Sequence, residues 1–397
     1  MQHLTLTLRI CLVFFVSSCA VISQDTNVRQ PTKESQTAEE YYQYALSLNS
    51  LSKASAKKAI KALDKAIELK PDFAAAYHTR GFYKMEVGDP KGAIEDFNSA
   101  IKLNPYHLTY MLRAEARVKL NDLDGAMSDY NYVLSTGRVC AAYTARGKLK
   151  FQKGDLDGAI ADFSEATSMC SSDAAYFYRG LARKRKGDLD GALADLKVLT
   201  DDYEYIQREV EKKYPRKSKE TEEESTIGGQ GIIMRDEEGN EILPKMNFKD
   251  KLSEKYWFEV GRLEISLNSS EDMSVLYLFK GDLLEEKGEE EAALTAFNNA
   301  IQVWHENFAA YVEHGKIQSK RGALAKAIKD FTRAILIEPQ FPDAYAERGI
   351  TLLLQGNDAA AQQDFDRYLK FVPDMKEHLT SRIEKAKEMR AAKSKSQ

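Results

Sequence analysis

The stretch YHTRGFYKMEVGDPKGAIEDFNSAIKLNP, residues 77–105, lays out two helices and the turn between them. Tyr77 and Gly81 stand four residues apart, as do Ala93 and Phe97, so each couple shares one helical face. Gly88-Asp89 separates the two couples, a turn in which glycine ends the first helix in the left-handed conformation. The same stretch returns along the chain. Arg80-Gly81 recurs as Arg113-Ala114, Arg146-Gly147, Arg179-Gly180 and Arg348-Gly349, and the interval between neighbours is constant as far as Gly180. A tyrosine stands four residues before each small residue, at Tyr77, Tyr110, Tyr143, Tyr176, Tyr277, Tyr311 and Tyr345. Downstream runs a second column, Ala93, Ala126, Ala159, Ala192, Ala293, Ala327 and Ala361. Four residues after each comes Phe97, Tyr130, Phe163, Leu196, Phe297, Phe331 or Phe365.

Aromatic, small residue, alanine, aromatic and a closing proline (Pro71, Pro105, Pro339, Pro373) at this period resemble the tetratricopeptide repeat over residues 40–199 and 274–373. A degenerate copy spans Ala38 to Pro71, with Gln43 and Ser47 in place of the tyrosine and glycine, as expected of a terminal repeat. The resemblance implies an all-α superhelical solenoid of antiparallel helix pairs, about eight units in blocks of five and three around an insertion. One pair cannot bury both its faces, so small columns let helices approach, aromatic columns fill the gaps, and stacked pairs share a core.

Charge repeats too. Asp96, Asp129, Asp162, Asp195 and Asp364 each follow an arginine (Arg80, Arg113, Arg146, Arg179, Arg348) at one fixed interval. The couples fall on facing helices of one pair, and ion pairs that set helix register are expected there, worth about 0.3–2 kcal/mol each according to burial. Where the cation column holds Leu46, the aspartate column holds Ala62; Lys280 stands with Ala296, and His314 with Asp330 is the exception. An arginine ladder for anionic ligands is the alternative.

Residues 1–20 read as a secretory signal: Arg9, the apolar run Ile10, Cys11, Leu12, Val13, Phe14, Phe15 and Val16, then small residues. The run is shorter than the roughly 20 residues a bilayer needs. Val16-Ser17-Ser18-Cys19 resembles a bacterial lipobox, which implies acylation of Cys19; cleavage after Ala20 is the alternative. The expected location is therefore the periplasm or a lipid anchor on the cell envelope, or else a secreted soluble form. Residues 21–37 follow as a flexible tether, 38–199 as the N-terminal array, 200–273 as the insertion, 274–373 as the C-terminal array, and 374–397 as a capping helix with a basic tail. Within the insertion the sequence predicts a helix over 201–214, a charge run from Arg216 to Glu224, a short hairpin over 231–243 and a helix over 248–267. It reads either as a loop between the two helices of a degenerate repeat, leaving the array stacked, or as a segment that folds over the groove or binds a partner.

The balance of 57 Lys plus Arg against 61 Asp plus Glu provides no basic stripe, so nucleic acid is not an expected partner. None of the six histidines forms a close pair with an intervening Glu, so no metal site is expected. Gly228-Gly229-Gln230-Gly231 lacks the Lys-Ser/Thr of a phosphate loop and reads as linker. No cofactor and no catalytic residue is expected. The concave face implied by the resemblance presents Tyr44, His78, Phe82, Met111, Lys148, Phe177, Lys184 and Arg185, an apolar and aromatic groove with a basic end. It suits an extended or helical peptide with apolar anchors and acidic residues. Alternatively, Phe82, Met111 and Phe177 pack against the neighbouring repeat. The function expected is a protein-interaction scaffold at the cell envelope; the alternative is an envelope hydrolase or transferase on a repeat frame. Once the signal is removed and Cys19 accounted for, Cys140 and Cys170 remain, at the same end of one helix pair, and a disulfide between them is expected, with two unpaired thiols as the alternative.

Overall fold

The computed structural model describes residues 37–48, 52–213 and 270–395. The signal segment with Cys19, the tether up to residue 36, and the hairpin and second helix expected in the insertion lie outside the described residues. Among the described residues there are seventeen α-helices, a 3-10 turn at Pro373–Met375 and no strand. Two compact units, 1–186 and 187–397, divide the chain. The first holds α1 (Ala38–Ser47), α2 (Lys53–Leu69), α3 (Ala74–Val87), α4 (Pro90–Leu103), α5 (His107–Lys119), α6 (Leu123–Thr136), α7 (Cys140–Gln152), α8 (Leu156–Met169) and α9 (Asp173–Arg185). The second holds α10 (Leu189–Lys213), α11 (Ser270–Glu286), α12 (Glu290–Val303), α13 (Phe308–Lys320), α14 (Leu324–Ile337), α15 (Pro342–Gln355), α16 (Asp358–Phe371) and α17 (Lys376–Lys395). Within each unit the helices stack as pairs, an all-α solenoid.

Local chemistry sets the boundaries. α1 opens on a capping box: the Glu40 N–H donates to Thr37 Oγ1 at 3.2 Å and the Thr37 N–H to Glu40 Oε2 at 3.0 Å. α3 ends on Gly88 at φ 92°, where a missing Cβ removes the left-handed penalty; between α5 and α6, Asn121 takes that conformation at φ 61°. The aspartate that follows caps the next helix. Asp89, Asp122, Asp155 and Asp188 each accept from the glycine N–H three residues on, at 2.9–3.0 Å. A Cβ on Gly92 would lie 2.2 Å from Asp89 Oδ2, so the second glycine of Gly-Asp-x-x-Gly makes room for the cap.

The small and aromatic columns interlock across each pair. A Cβ on Gly81 or Gly147 would come within 2.6 Å of the Phe97 or Phe163 ring, and the corresponding distance from Gly349 to Phe365 is 2.5 Å. Phe97 and Phe163 are fully buried in consequence. Ala45, Leu63, Phe97 and Leu112 belong to one cluster that runs through the first three pairs. At the other end Leu379 and Ala386 of α17 are buried with Tyr345, Phe365 and Tyr368 of the last pair. Arg382 adds an ion pair to Glu347 at 2.9 Å.

The helix expected over 201–214 is continuous with the last helix of the N-terminal array: α10 runs from Leu189 to Lys213, with no Gly or Pro between residues 192 and 213 to stop it. Lys153 meets Asp124 at 2.5 Å and Lys186 meets Asp157, each across 29 residues, one repeat pinned to the last. Lys287, directly after α11, makes the same contact with Asp190 of α10 at 2.8 Å across 97 residues, so α11 meets α10 in the register that consecutive repeats use.

Candidate binding face

The arginine column is turned into the stack. Arg80, Arg113, Arg146 and Arg348 each donate through Nε and Nη2 to both oxygens of Asp96, Asp129, Asp162 and Asp364, at 2.6–3.0 Å. These carboxylates are buried, so the bidentate geometry matters to the helix pair far more than a surface salt bridge would. His314 Nδ1 takes the place of the guanidinium against Asp330 at 2.8 Å. A second cation reaches the same carboxylate in three pairs: Lys84 to Asp96 at 2.9 Å, Arg117 to Asp129 at 2.7 Å and Lys150 to Asp162 at 2.9 Å. Sequence reasoning missed it. The signal was the spacing Arg80/Lys84, Arg113/Arg117 and Arg146/Lys150, four residues on one helical face. Nη1 of Arg80, Arg113 and Arg146 reaches back to the preceding pair, at Asp64, Asn98 and Asn131, and that of Arg348 to Thr332. Held on both sides, these four arginines cannot form a ladder for anionic ligands.

Of the groove candidates, three are corrected. Phe82, Met111 and Phe177 are 5%, 7% and 0% exposed and form part of the core. Phe82 shares a cluster with Leu112 and Ala116 of the next first helix, and Met111 shares one with Ala142. The small side chains there let the following pair close over them. Tyr44 is half-buried against the same cluster that holds Phe82. His78 is tied to Thr109 through Nδ1 at 2.8 Å, and its ring lies near Phe97 and Tyr106. Burial pushes its imidazole down to about 4 from the ordinary 6.5. Between these values the unfolded chain binds a proton that the folded chain refuses, so stability falls as pH drops from 6.5 towards 4 and levels off below. Replacing His78 with Gln should flatten the urea midpoint across that interval. An unchanged slope in the variant would assign the acid sensitivity elsewhere.

The cations do come together. Lys148 Nζ lies 4.6 Å from the centre of the Tyr178 ring, and Tyr178 meets Phe151 edge-on at 6.3 Å. Arg185 lies over the Phe151 ring, 4.1 Å from its centre. α7 and α9 thus carry a row of cation, ring, ring and cation, with Lys184 beside it on the last turn of α9. Burial lowers the Arg185 guanidinium from its ordinary range. A stacked, partly desolvated cation is held in place at an advantage of about 0.5–2 kcal/mol. Cys140 and Cys170 also meet, with Cα atoms 6.5 Å apart. Among the described residues no group of His, Cys, Asp and Glu could hold a metal ion, and no helix is long and apolar enough to cross a membrane.

Residues 74–107, 144–205 and 310–376 match family models of the tetratricopeptide repeat. This is a tetratricopeptide-repeat protein. Its fold is similar to that of a tetratricopeptide repeat protein from Parabacteroides merdae, at 16% identity over 79% of this chain and 98% of the other, with a TM-score of 0.46. The C-terminal part of a repeat-containing protein from Cytophaga hutchinsonii is similar at 12% identity over 78% and 97%, TM-score 0.49. Yeast Tom70 is similar at 16% identity over 94% and 68%, TM-score 0.40. No curated protein matches the chain in sequence. The coarse function that goes with tetratricopeptide repeats is that of a protein-protein interaction scaffold.

Proposed function

We propose that this tetratricopeptide-repeat protein binds a polypeptide with acidic and aromatic residues along the face that α7 and α9 present, at the cell envelope. The observation that carries the reading is the row Lys148, Tyr178, Phe151 and Arg185. Cations already seated on rings lose little freedom when an acidic chain arrives, and the half-buried Tyr178 ring offers apolar contact beside them, while buried Phe151 backs Arg185. Lys148→Glu with Arg185→Glu is expected to weaken the partner captured by the full chain at least tenfold, and parent binding should fall as salt rises. The melting temperature should stay near that of the parent, because neither head group belongs to the core. Equal capture by parent and variant would place the binding face elsewhere.

The envelope part of the reading rests on Arg9, the apolar run and Val16-Ser17-Ser18-Cys19. Acylation at Cys19 would hold the chain at a membrane, more firmly with two chains than with one. Cys19→Ser is expected to move the protein from the membrane to the soluble fraction. If both forms partition alike, Cys19 is no anchor and cleavage after Ala20 is preferred.

A further inference from the structure

We infer that Cys140 and Cys170 form a thiol–disulfide exchange site, opened by a dithiol that attacks Cys170 and expels Cys140. The two sulfurs are placed unequally. Cys140 is the first residue of α7 and half-buried, whereas Cys170 follows the last turn of α8 and is exposed. An incoming thiolate therefore meets Cys170 first. Val139 before Cys140 provides no side-chain cap, so no capping side chain competes with the departing Cys140 thiolate for the positive end of the α7 dipole.

The opened form has a place for the released thiol. Cys140 Sγ lies 3.5 Å from the Ala166 carbonyl oxygen, 26 residues on. Ser274 occupies the same place in the α11–α12 pair, where its hydroxyl donates to the Ala300 carbonyl at 2.7 Å, also 26 residues on. A protonated Cys140 can donate to Ala166 as Ser274 does to Ala300, so opening orphans no polar group. Arg138 and Glu165 join the same end of the pair at 2.7 Å and keep the cysteines near for reclosure. In the step itself one thiolate of the dithiol bonds to Cys170 Sγ while the protein S–S bond breaks, and Cys140 leaves as a thiolate that takes up a proton. The second thiol of the reagent then displaces Cys170 Sγ. Two protein thiols and one reagent disulfide result, with two electrons and two protons passed to the protein.

Oxidised full-length chain, treated with glutathione, quenched with acid and peptide-mapped, is expected to carry the adduct on Cys170 at least tenfold over Cys140. Dithiothreitol should open the native crosslink within about tenfold of its rate on the denatured chain, helicity should persist, and oxidised glutathione should reclose it. Cys140→Ser, which restores the Ser274 contact, should melt with the reduced parent, and Cys140→Val below it. Adducts mainly on Cys140, slower native opening than that, or loss of helicity on reduction would overturn the inference. So would two thiols that stay free in oxidised glutathione.

Discussion

Phe177→Ala is expected to lower the unfolding free energy by about 3–5 kcal/mol, the largest loss from any one side chain on α9. The ring is fully buried, meets Tyr178 edge-on at 5.7 Å, and leaves a cavity when truncated that close-packed neighbours fill only in part. A helical face reading alone would make this residue a ligand contact whose loss weakens binding and spares the fold. The control is Lys148→Ala on α7, whose ammonium lies over the outside of Tyr178 and whose loss should cost about 1 kcal/mol or less. Denaturant titration of both variants decides the matter. A Phe177→Ala midpoint within error of the Lys148→Ala midpoint would return Phe177 to the binding face.

Asp129→Ala comes next, at about 3 kcal/mol. Arg113 and Arg117 both reach this buried carboxylate, at 2.6 and 2.7 Å, so its removal strands two partly buried cations and drops the tie between α5 and α6. Asp364→Ala should cost less, because Asp364 meets Arg348 and Leu352 stands where the second cation would be. Arg113→Leu together with Asp129→Leu should cost less than Asp129→Ala, since one of the two cations then leaves with the carboxylate and Arg117 alone loses its partner. Chemical denaturation of the parent and these three variants gives the order. Equal losses for Asp129→Ala and Asp364→Ala would show that the second cation contributes nothing.

The helix pairs and their register were legible because each column reports a contact in which little else fits. A glycine whose added Cβ would lie 2.6 Å from a phenylalanine ring fixes that ring's partner, and an aspartate at a set interval past an arginine fixes the facing helix. The binding face was less legible. Periodicity gives the angle at which Phe82 or Met111 leaves its helix but not the distance to the next pair. That distance is set by Ala116 and Ala142, each one repeat further along and small enough for the following helix to close over them. Lys148 and Arg185 stayed at the surface because their charged ends resist that closure. The helix over 201–214 was legible, though not its continuity with the rest of α10. The repeat period stops at Leu199 while helix propensity does not, and only a Gly or Pro would have ended the helix.

The contact between Lys287 and Asp190 separates position along the chain from position in the stack. Lengthening a closed loop from 29 to 97 residues costs roughly 1 kcal/mol of chain entropy, a small sum beside the packing of a helix pair. The junction between α10 and α11 therefore behaves as a cassette slot. What is spliced there can grow, shrink or change character from one descendant to the next while its flanking helices keep the same neighbours. Selection on the ladder of helices and selection on the spliced cargo can then proceed independently.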